Sequence, residues 1–140
     1  MRRKMKNSKN TVEIDFNKLV EKVPVALTFL PVLKLLAQKQ ETMTYKELGQ
    51  LFGIHQRAIP GYLCILDIYC ATRKLPHLNH LVVHQHNQLA GGGMVDNAPL
   101  TFHDQLKEQD EIFDHNWAED RIPTEGSIYN AVVQTKENVA

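Results

Sequence analysis

The amino-acid sequence predicts a mainly α-helical fold, a winged helix-turn-helix with a small β wing. Residues 44–75 carry the pattern of two helices joined by a tight glycine turn, which is the helix-turn-helix motif. Residues 77–93 follow with a short alternating stretch and a glycine-rich turn, the pattern of a strand and a hairpin turn. The 140 residues suffice for one domain with a hydrophobic core.

The first helix of the pair has clear start and stop signals. Thr44 and Glu47 have the spacing of a capping box, in which each side chain accepts a hydrogen bond from the other residue's backbone N–H. Leu48, Leu51 and Phe52 then lie on one face of a short helix. Gly53 suits the left-handed backbone at which a helix ends. The sequence therefore predicts a short capped helix followed by a tight turn.

The second helix is longer and carries apolar residues at helical spacing: Ile59, Leu63, Leu66 and Cys70. Pro60 is tolerated only in or beside the first turn, so we expect this helix to start near Arg57. Gln56 and Arg57 then occupy the helix start, where a helix that enters a DNA groove carries its reading side chains. An ordinary helical hairpin inside a core is the alternative interpretation.

The residues before the helix pair divide into a basic tail and an apolar segment. Residues 1–12 predict a flexible tail, or alternatively an arm that adds phosphate contacts independent of sequence. Asp15 is a good cap for a helix that Pro24 interrupts, and in the next apolar segment Pro31 must kink the helix or start a new one. We place the domain at residues 13–97.

A segment rich in histidine follows the helix pair. The stretch HLNHLVVHQHN predicts a strand, and residues 88–93, QLAGGG, predict a tight turn. On such a strand His80, His84 and His86 would share one face, as ligands of zinc or copper do. Their spacing matches no established zinc motif, so we expect no metal and interpret them as polar wing residues that face phosphate or bases.

The chain is divided by charge. Residues 1–75 carry 13 basic and 6 acidic residues, a net charge of +7, whereas residues 76–140 carry a net charge of −7. A basic half suits a polyanionic partner. No apolar run is long enough to span a bilayer, so no membrane contact is expected. Cys64 and Cys70 suit neither a zinc site nor a disulfide, and we interpret them as thiols in a reducing cytoplasm.

The acidic C-terminal part predicts a helical extension over residues 98–120 and a loose tail over residues 121–140. Four apolar residues are expected to dock the extension on the domain: Leu106, Ile112, Phe113 and Trp117. Three interpretations of the extension stay open, namely a solvated packing helix, a binding site for a protein partner, and a segment that folds over the basic helix pair and competes with DNA.

These elements, in this order, resemble the DNA-binding domain of alkylguanine-DNA alkyltransferases and alkyltransferase-like proteins over roughly residues 29–93. Thr44-Tyr45-Lys46-Glu47-Leu48 is similar to that family's Ser/Thr-Tyr-x-x-Leu, and Arg57-Ala58-Ile59-Pro60-Gly61 is similar to its Arg-Ala-Val-Gly-Gly. Leu75-Pro76, the Val82-Val83 pair and the glycine-rich turn follow in the same order.

The resemblance implies a set of residues that contact double-stranded DNA: Tyr45, Gln56, Arg57 and Gly61. It also implies a pocket for a base, lined by Asn79, His80, Gly91 and Gly92. By the same resemblance Tyr45 helps to turn a nucleotide out of the duplex, and Arg57 fills the gap left in the base stack. The alternatives are a half-buried aromatic that closes the helix pair for Tyr45, and a phosphate contact or a solvated charge for Arg57.

One departure from the family decides the expected chemistry. The family's reactive segment Pro-Cys-His-Arg-Val-Val aligns with residues 78–83, and Asn79 stands where the family has its cysteine nucleophile. His80 and the valines are kept. An amide cannot accept an alkyl group as a thiolate does, so we do not expect alkyl transfer. The resemblance therefore implies a non-catalytic DNA-binding protein of DNA repair that needs no cofactor and senses a modified or extruded base.

Two other functions fit the sequence. An enzyme that acts on DNA bases, glycosylase-like or nuclease-like, would use Asn79 and His80 to activate a water, but a histidine base needs an orienting acid that the sequence does not identify. A winged-helix transcription regulator would read the DNA sequence and flip no base.

Overall fold

The computed structural model describes the backbone of residues 2–6, 11–90, 102–120 and 123–138. Within these residues the fold is mainly helical, as predicted, and contains these elements in order: β1 (Arg2–Lys6), β2 (Thr11–Asp15), α1 (Phe16–Lys39), β3 (Met43–Thr44), α2 (Tyr45–Phe52), α3 (Ile59–Thr72), β4 (Val82–Val83), α4 (Phe102–Asp114) and α5 (Glu125–Asn138). Short 3-10 turns span Gln56–Ala58, Leu78–Leu81 and Trp117–Glu119. None of the described helices combines the length and the apolar composition needed to cross a bilayer.

β1 and β2 form an antiparallel hairpin where a flexible tail was predicted over residues 1–12. The register pairs Met5 with Val12 and Arg3 with Ile14. The tail prediction followed the basic composition of the segment. It overlooked that residues 11–14 contain three β-branched residues, which favour an extended backbone.

α1 is one continuous helix of 24 residues, so the predicted break at Pro24 and the predicted start of a new helix at Pro31 are wrong, whereas the kink considered at Pro31 stays a prediction. The two prolines are seven residues apart on the same side of the helix, and both are exposed. Each proline therefore removes its hydrogen bond on the solvent side, where a helix can bend outward and water can satisfy the carbonyl group. The opposite side, with Leu30 and Leu33 fully buried, forms the centre of the core.

α2 and α3 form the predicted helix pair. Leu48 is buried on the apolar face of α2, but Leu51, which was expected on the same face, is 61% exposed. The capping box is confirmed, because the Thr44 hydroxyl accepts from the Glu47 N–H at 3.1 Å and the Glu47 carboxylate accepts from the Thr44 N–H at 3.0 Å. Gly53 ends α2 with a left-handed φ of 66°. Gly49 is required by the turn, because an added Cβ would lie 2.3 Å from the carbonyl oxygen of Ile54.

β3 and β4 pair in parallel, with Met43 opposite Val82 and Thr44 opposite Val83. An antiparallel bridge then joins Val83 to Ala90. The strand predicted for the histidine-rich segment is therefore much shorter than expected. The 3-10 turn Leu78–Leu81 precedes it and a turn follows it, so only Val82 and Val83 pair with β3.

α4 is the predicted acidic helical extension. Ile112 and Trp117 are buried and Phe113 is half-buried, as predicted, but Leu106 is 44% exposed. Gln105 and Gln109 are buried in its place.

α5 replaces the loose tail predicted over residues 121–140. It packs on α1 and α3 through Ile128, Ala131 and Val132, which are buried. Two signals for this helix were present in the sequence. The apolar residues have helical spacing, and the Thr124 hydroxyl caps the helix by accepting from the Ser127 N–H at 3.2 Å.

Candidate nucleic-acid interface

A cleft of about 700 Å³ opens between the start of α2, the 3-10 turn before α3 and the loop of residues 84–89 (the 84–89 loop). We call it the basic cleft. It is lined by Tyr45, Lys46, Gln56, Arg57, Pro60, His84, Gln85 and His86. Three of the residues predicted to contact DNA, Tyr45, Gln56 and Arg57, therefore meet in one place. Its volume lies within the range of roughly 300–1,000 Å³ typical of small-molecule sites.

The lining of the basic cleft is cationic. Lys46 and Arg57 carry fixed positive charges, and no described residue that lines the cleft is acidic. His84 and His86 are exposed and line the same cleft. An anion in the cleft would therefore meet only favourable or neutral charges from its walls.

The side chains of Gln56 and Arg57 are held outward by the turn in which they lie. His55 caps this 3-10 turn, because its Nδ1 accepts from the backbone N–H of Arg57 at 3.1 Å. Both side chains are exposed. α3 begins directly after the turn, and the N-terminus of a helix carries a partial positive charge. The predicted position of these residues beside a helix start is confirmed.

Tyr45 is buried beneath the 84–89 loop, with 8% of its surface exposed. Its ring centroid lies 4.7 Å from that of His84, and the His84 ring lies 5.7 Å from that of His86. His84 is exposed. The ring that is free to meet a base is therefore that of His84, while Tyr45 supports it from below. This placement agrees with the alternative interpretation of Tyr45 as an aromatic that closes the helix pair.

The 84–89 loop is a tight hairpin turn. The N–H of His84 donates to the carbonyl of Leu89 at 2.8 Å, and the N–H of Gln88 donates to the carbonyl of His84 at 2.8 Å. Gln88 has a left-handed φ of 58°. The turn therefore starts four residues before the predicted QLAGGG turn. Gly91 and Gly92, the predicted pocket glycines, lie outside the described residues.

Gly61 does not line the basic cleft. A Cβ added at this position would lie 3.0 Å from Cε of Lys22, and the Lys22 ammonium group lies 5.6 Å from the centroid of the Tyr62 ring. The structure therefore places Gly61 against α1, where a glycine leaves room for the lysine side chain.

Asn79 and His80 lie apart from the basic cleft, in the 3-10 turn Leu78–Leu81. They are buried, with 4% and 1% of their surface exposed. His80 Nδ1 lies 2.9 Å from Oε2 of Glu108 in α4, and the Gln109 side-chain amide donates to the His80 carbonyl at 3.0 Å. Because His80 is buried here while His84 and His86 are exposed at the cleft, these three histidines do not share a face.

His80 lines a second cavity of about 330 Å³ with His77, Glu108 and Glu111. His77 Nδ1 lies 2.6 Å from the carboxylate of Asp67, which is fully buried in α3. The two imidazole rings are 6.1 Å apart. The sequence did not identify either of the two acids that contact these histidines, Asp67 and Glu108. A charged residue inside an otherwise apolar helix is the signal that could have found Asp67.

The described residues contain no group of three or more His, Cys, Asp or Glu side chains arranged to hold a metal ion. Cys64 and Cys70 are not joined in a disulfide. Burial raises the pKa of Cys70 to about 12, so this thiol stays protonated near neutral pH and is a poor nucleophile.

The acidic extension does not cover the basic cleft, since no described residue of α4 or α5 lines it. α4 instead packs on α1 and on the 3-10 turn Leu78–Leu81. The competition with DNA that we considered for this segment therefore has no counterpart among the described residues.

No family model matches the chain, and comparisons with curated proteins and with solved structures give no match. The likeness to alkyltransferase-like proteins rests on the sequence motifs alone.

Proposed function

We propose that the chain is a non-catalytic DNA-binding protein of the alkyltransferase-like, winged-helix type, and that the basic cleft receives double-stranded DNA at a modified or extruded base. The observation that carries this proposal is the convergence of Gln56 and Arg57 with the 84–89 loop on a cleft lined by cations and by no described acid. The 84–89 loop takes the place of the wing. Contacts between basic residues and phosphates supply most of the affinity in such complexes.

Each wall of the cleft has a distinct role in this proposal. Arg57 is exposed beside the start of α3, where a planar cation can stack between bases and donate hydrogen bonds. Lys46 is exposed at the first turn of α2 and contacts a phosphate. The His84 ring, supported by Tyr45, supplies a flat face on which an extruded base stacks.

Fluorescence anisotropy with two short duplexes tests the proposal. One duplex is unmodified and the other carries a guanine with a bulky alkyl group. We expect tighter binding to the alkylated duplex. With two to four phosphate contacts, a rise from about 50 to about 200 mM salt should lower the affinity by roughly 10- to 100-fold. Absence of binding to either duplex would refute the proposal and favour a protein partner.

Arg57→Ala separates the proposal from the regulator hypothesis. We expect this variant to lose its preference for the alkylated duplex. Arg73→Ala is the matched control, because it makes the same charge change at an exposed position at the other end of α3 and should keep that preference. A change in preference at one normal base pair by about 1–3 kcal/mol, without any lesion preference in the wild type, would instead support a sequence-reading regulator.

An enzyme that acts on DNA bases is the second candidate. The pair His80–Glu108 favours it, because Glu108 is an acid in position to orient the imidazole. Against it, His80 is 1% exposed, and the cavity it lines shares no lining residue with the basic cleft. Release of a base or cleavage of a strand by the wild type, abolished by both His80→Gln and Glu108→Gln, would displace the non-catalytic proposal.

A further inference from the structure

The 84–89 loop, which forms one wall of the basic cleft, is closed by short-range contacts. These are the bridge between Val83 and Ala90, two backbone hydrogen bonds between residues 84 and 88–89, and two side-chain hydrogen bonds, from the Gln88 amide to the Gln85 carbonyl and from the Leu89 N–H to the Asn87 side-chain oxygen. A two-stranded hairpin of this size is marginally stable by itself. Its position beside α2 therefore depends on contacts from elsewhere in the chain.

α4 supplies such contacts through the side chain of Gln105, which is 1% exposed. The Gln105 amide oxygen accepts from the N–H of Ala90 at 2.6 Å, and its amide nitrogen donates to the carbonyl of Gln88 at 2.5 Å. One amide group thus binds a donor and an acceptor on the returning side of the loop.

The same face of α4 also binds the segment that leads into the loop. Residues three and four positions apart share a face of a helix, which places Glu108 and Gln109 beside Gln105. Glu108 lies 2.9 Å from His80 Nδ1, and Gln109 donates to the His80 carbonyl at 3.0 Å. α4 therefore contacts the chain on both sides of the 84–89 loop.

We propose that α4 positions the 84–89 loop for nucleic-acid binding and that Gln105 is the positioning residue. This inference rests on the proposed function of the basic cleft. Gln105 does not line the cleft and is buried, so it acts on a ligand only through the loop. α4 is acidic, and its charge alone would repel DNA. In this proposal α4 nevertheless contributes to DNA binding, because it holds the 84–89 loop in place.

A double-mutant cycle tests this inference with the unmodified duplex. In the wild-type chain, replacing both His84 and His86 by alanine should weaken binding by about 3- to 10-fold, the effect of losing one ordinary hydrogen bond to the nucleic acid. In a Gln105→Met background the same replacement should have almost no effect, because the loop is no longer held at the cleft. Arg57→Ala should weaken binding by the same factor in both backgrounds.

Hydrogen exchange gives a second readout that needs no DNA. The amide of Ala90 should exchange faster in Gln105→Met than in the wild type, while the amides of α3 keep their protection and show that the variant is folded. Gln134→Met is the matched control, since it makes the same change at an exposed position of α5. Gln105→Asn provides a milder version that keeps an amide but shortens its reach.

The outcomes separate the two proposals. Equal factors for the histidine replacement in both backgrounds, or unchanged exchange at Ala90, would overturn the role of Gln105 while leaving DNA binding intact. A histidine replacement with no effect in the wild type would also overturn it, because the loop would then lie outside the interface. If the wild type binds no duplex, the proposed function fails and this inference fails with it, whatever the exchange data show.

Discussion

Gly49→Ala should destabilise the helix pair α2–α3 that carries the basic cleft. An added Cβ would lie 2.3 Å from the carbonyl oxygen of Ile54, a separation that folded proteins do not show, so the turn must move. Overpacking of this kind costs about 1–3 kcal/mol. The Gly49 carbonyl also accepts from the N–H groups of Gly53 and Ile54, and weakening these two bonds adds about 0.5–1.5 kcal/mol each.

Alanine regains about 1 kcal/mol because it is a better helix former than glycine. The net loss in the free energy of unfolding should therefore be about 1–5 kcal/mol, which lowers the Tm by roughly 3–20 °C. Urea unfolding followed by circular dichroism measures it. Gly126→Ala is the control, since an added Cβ there would lie 3.8 Å from the nearest atom, and this variant should match or exceed wild-type stability. Equal stability of Gly49→Ala and wild type would refute the steric reasoning about the turn.

Three further predictions concern the core, the cleft and the buried asparagine. Ile128→Ala should lower the free energy of unfolding by about 2–5 kcal/mol because Ile128 is fully buried, whereas Val133→Ala, at a position 46% exposed, should change it little; equal urea midpoints would show that α5 is not part of the core. DNA binding measured by anisotropy should depend less steeply on salt in Lys46→Ala than in the wild type, because one phosphate contact of the cleft is lost; an unchanged salt dependence would show that Lys46 contacts no phosphate. Asn79→Cys should gain no alkyl group from alkylated DNA, because position 79 is 4% exposed and away from the cleft; a mass increase equal to one alkyl group would contradict this placement.

The helix pair α2–α3 could be predicted from sequence because its signals are local. Thr44 and Glu47 hydrogen-bond to each other across three residues, and Gly53 ends the helix through its own backbone conformation. Gln56 and Arg57 follow directly, so their place beside the start of α3 is fixed by the same short stretch. The turn between α2 and α3, whose geometry Gly49 and Gly53 allow, brings Tyr45 close to Gln56 and Arg57 in one cleft.

The orientation of α4 could not be predicted in the same way. The apolar pattern placed Leu106 inside, yet Gln105 and Gln109 are buried instead. Their partners are backbone groups 15–29 residues earlier in the chain, in segments whose irregular backbone needs hydrogen bonds from side chains. From sequence alone, a glutamine in an acidic helix is expected to face solvent. Only the packing of α4 against these segments shows that the amide groups of Gln105 and Gln109 hydrogen-bond to their backbone.

The two sets of residues drawn from the family resemblance occupy different places, and this separation bears on the proposed function. Gln56 and Arg57 line the basic cleft. Asn79 is buried, and His80 lines a second cavity that shares no lining residue with the basic cleft. A reactive group at position 79 would therefore have no direct access to a base held in the cleft. Position 79 has no cysteine and is buried, and both facts argue against alkyl transfer. Neither fact affects the residues that line the basic cleft. An asparagine at position 79 is therefore compatible with the proposed binding of DNA in the basic cleft.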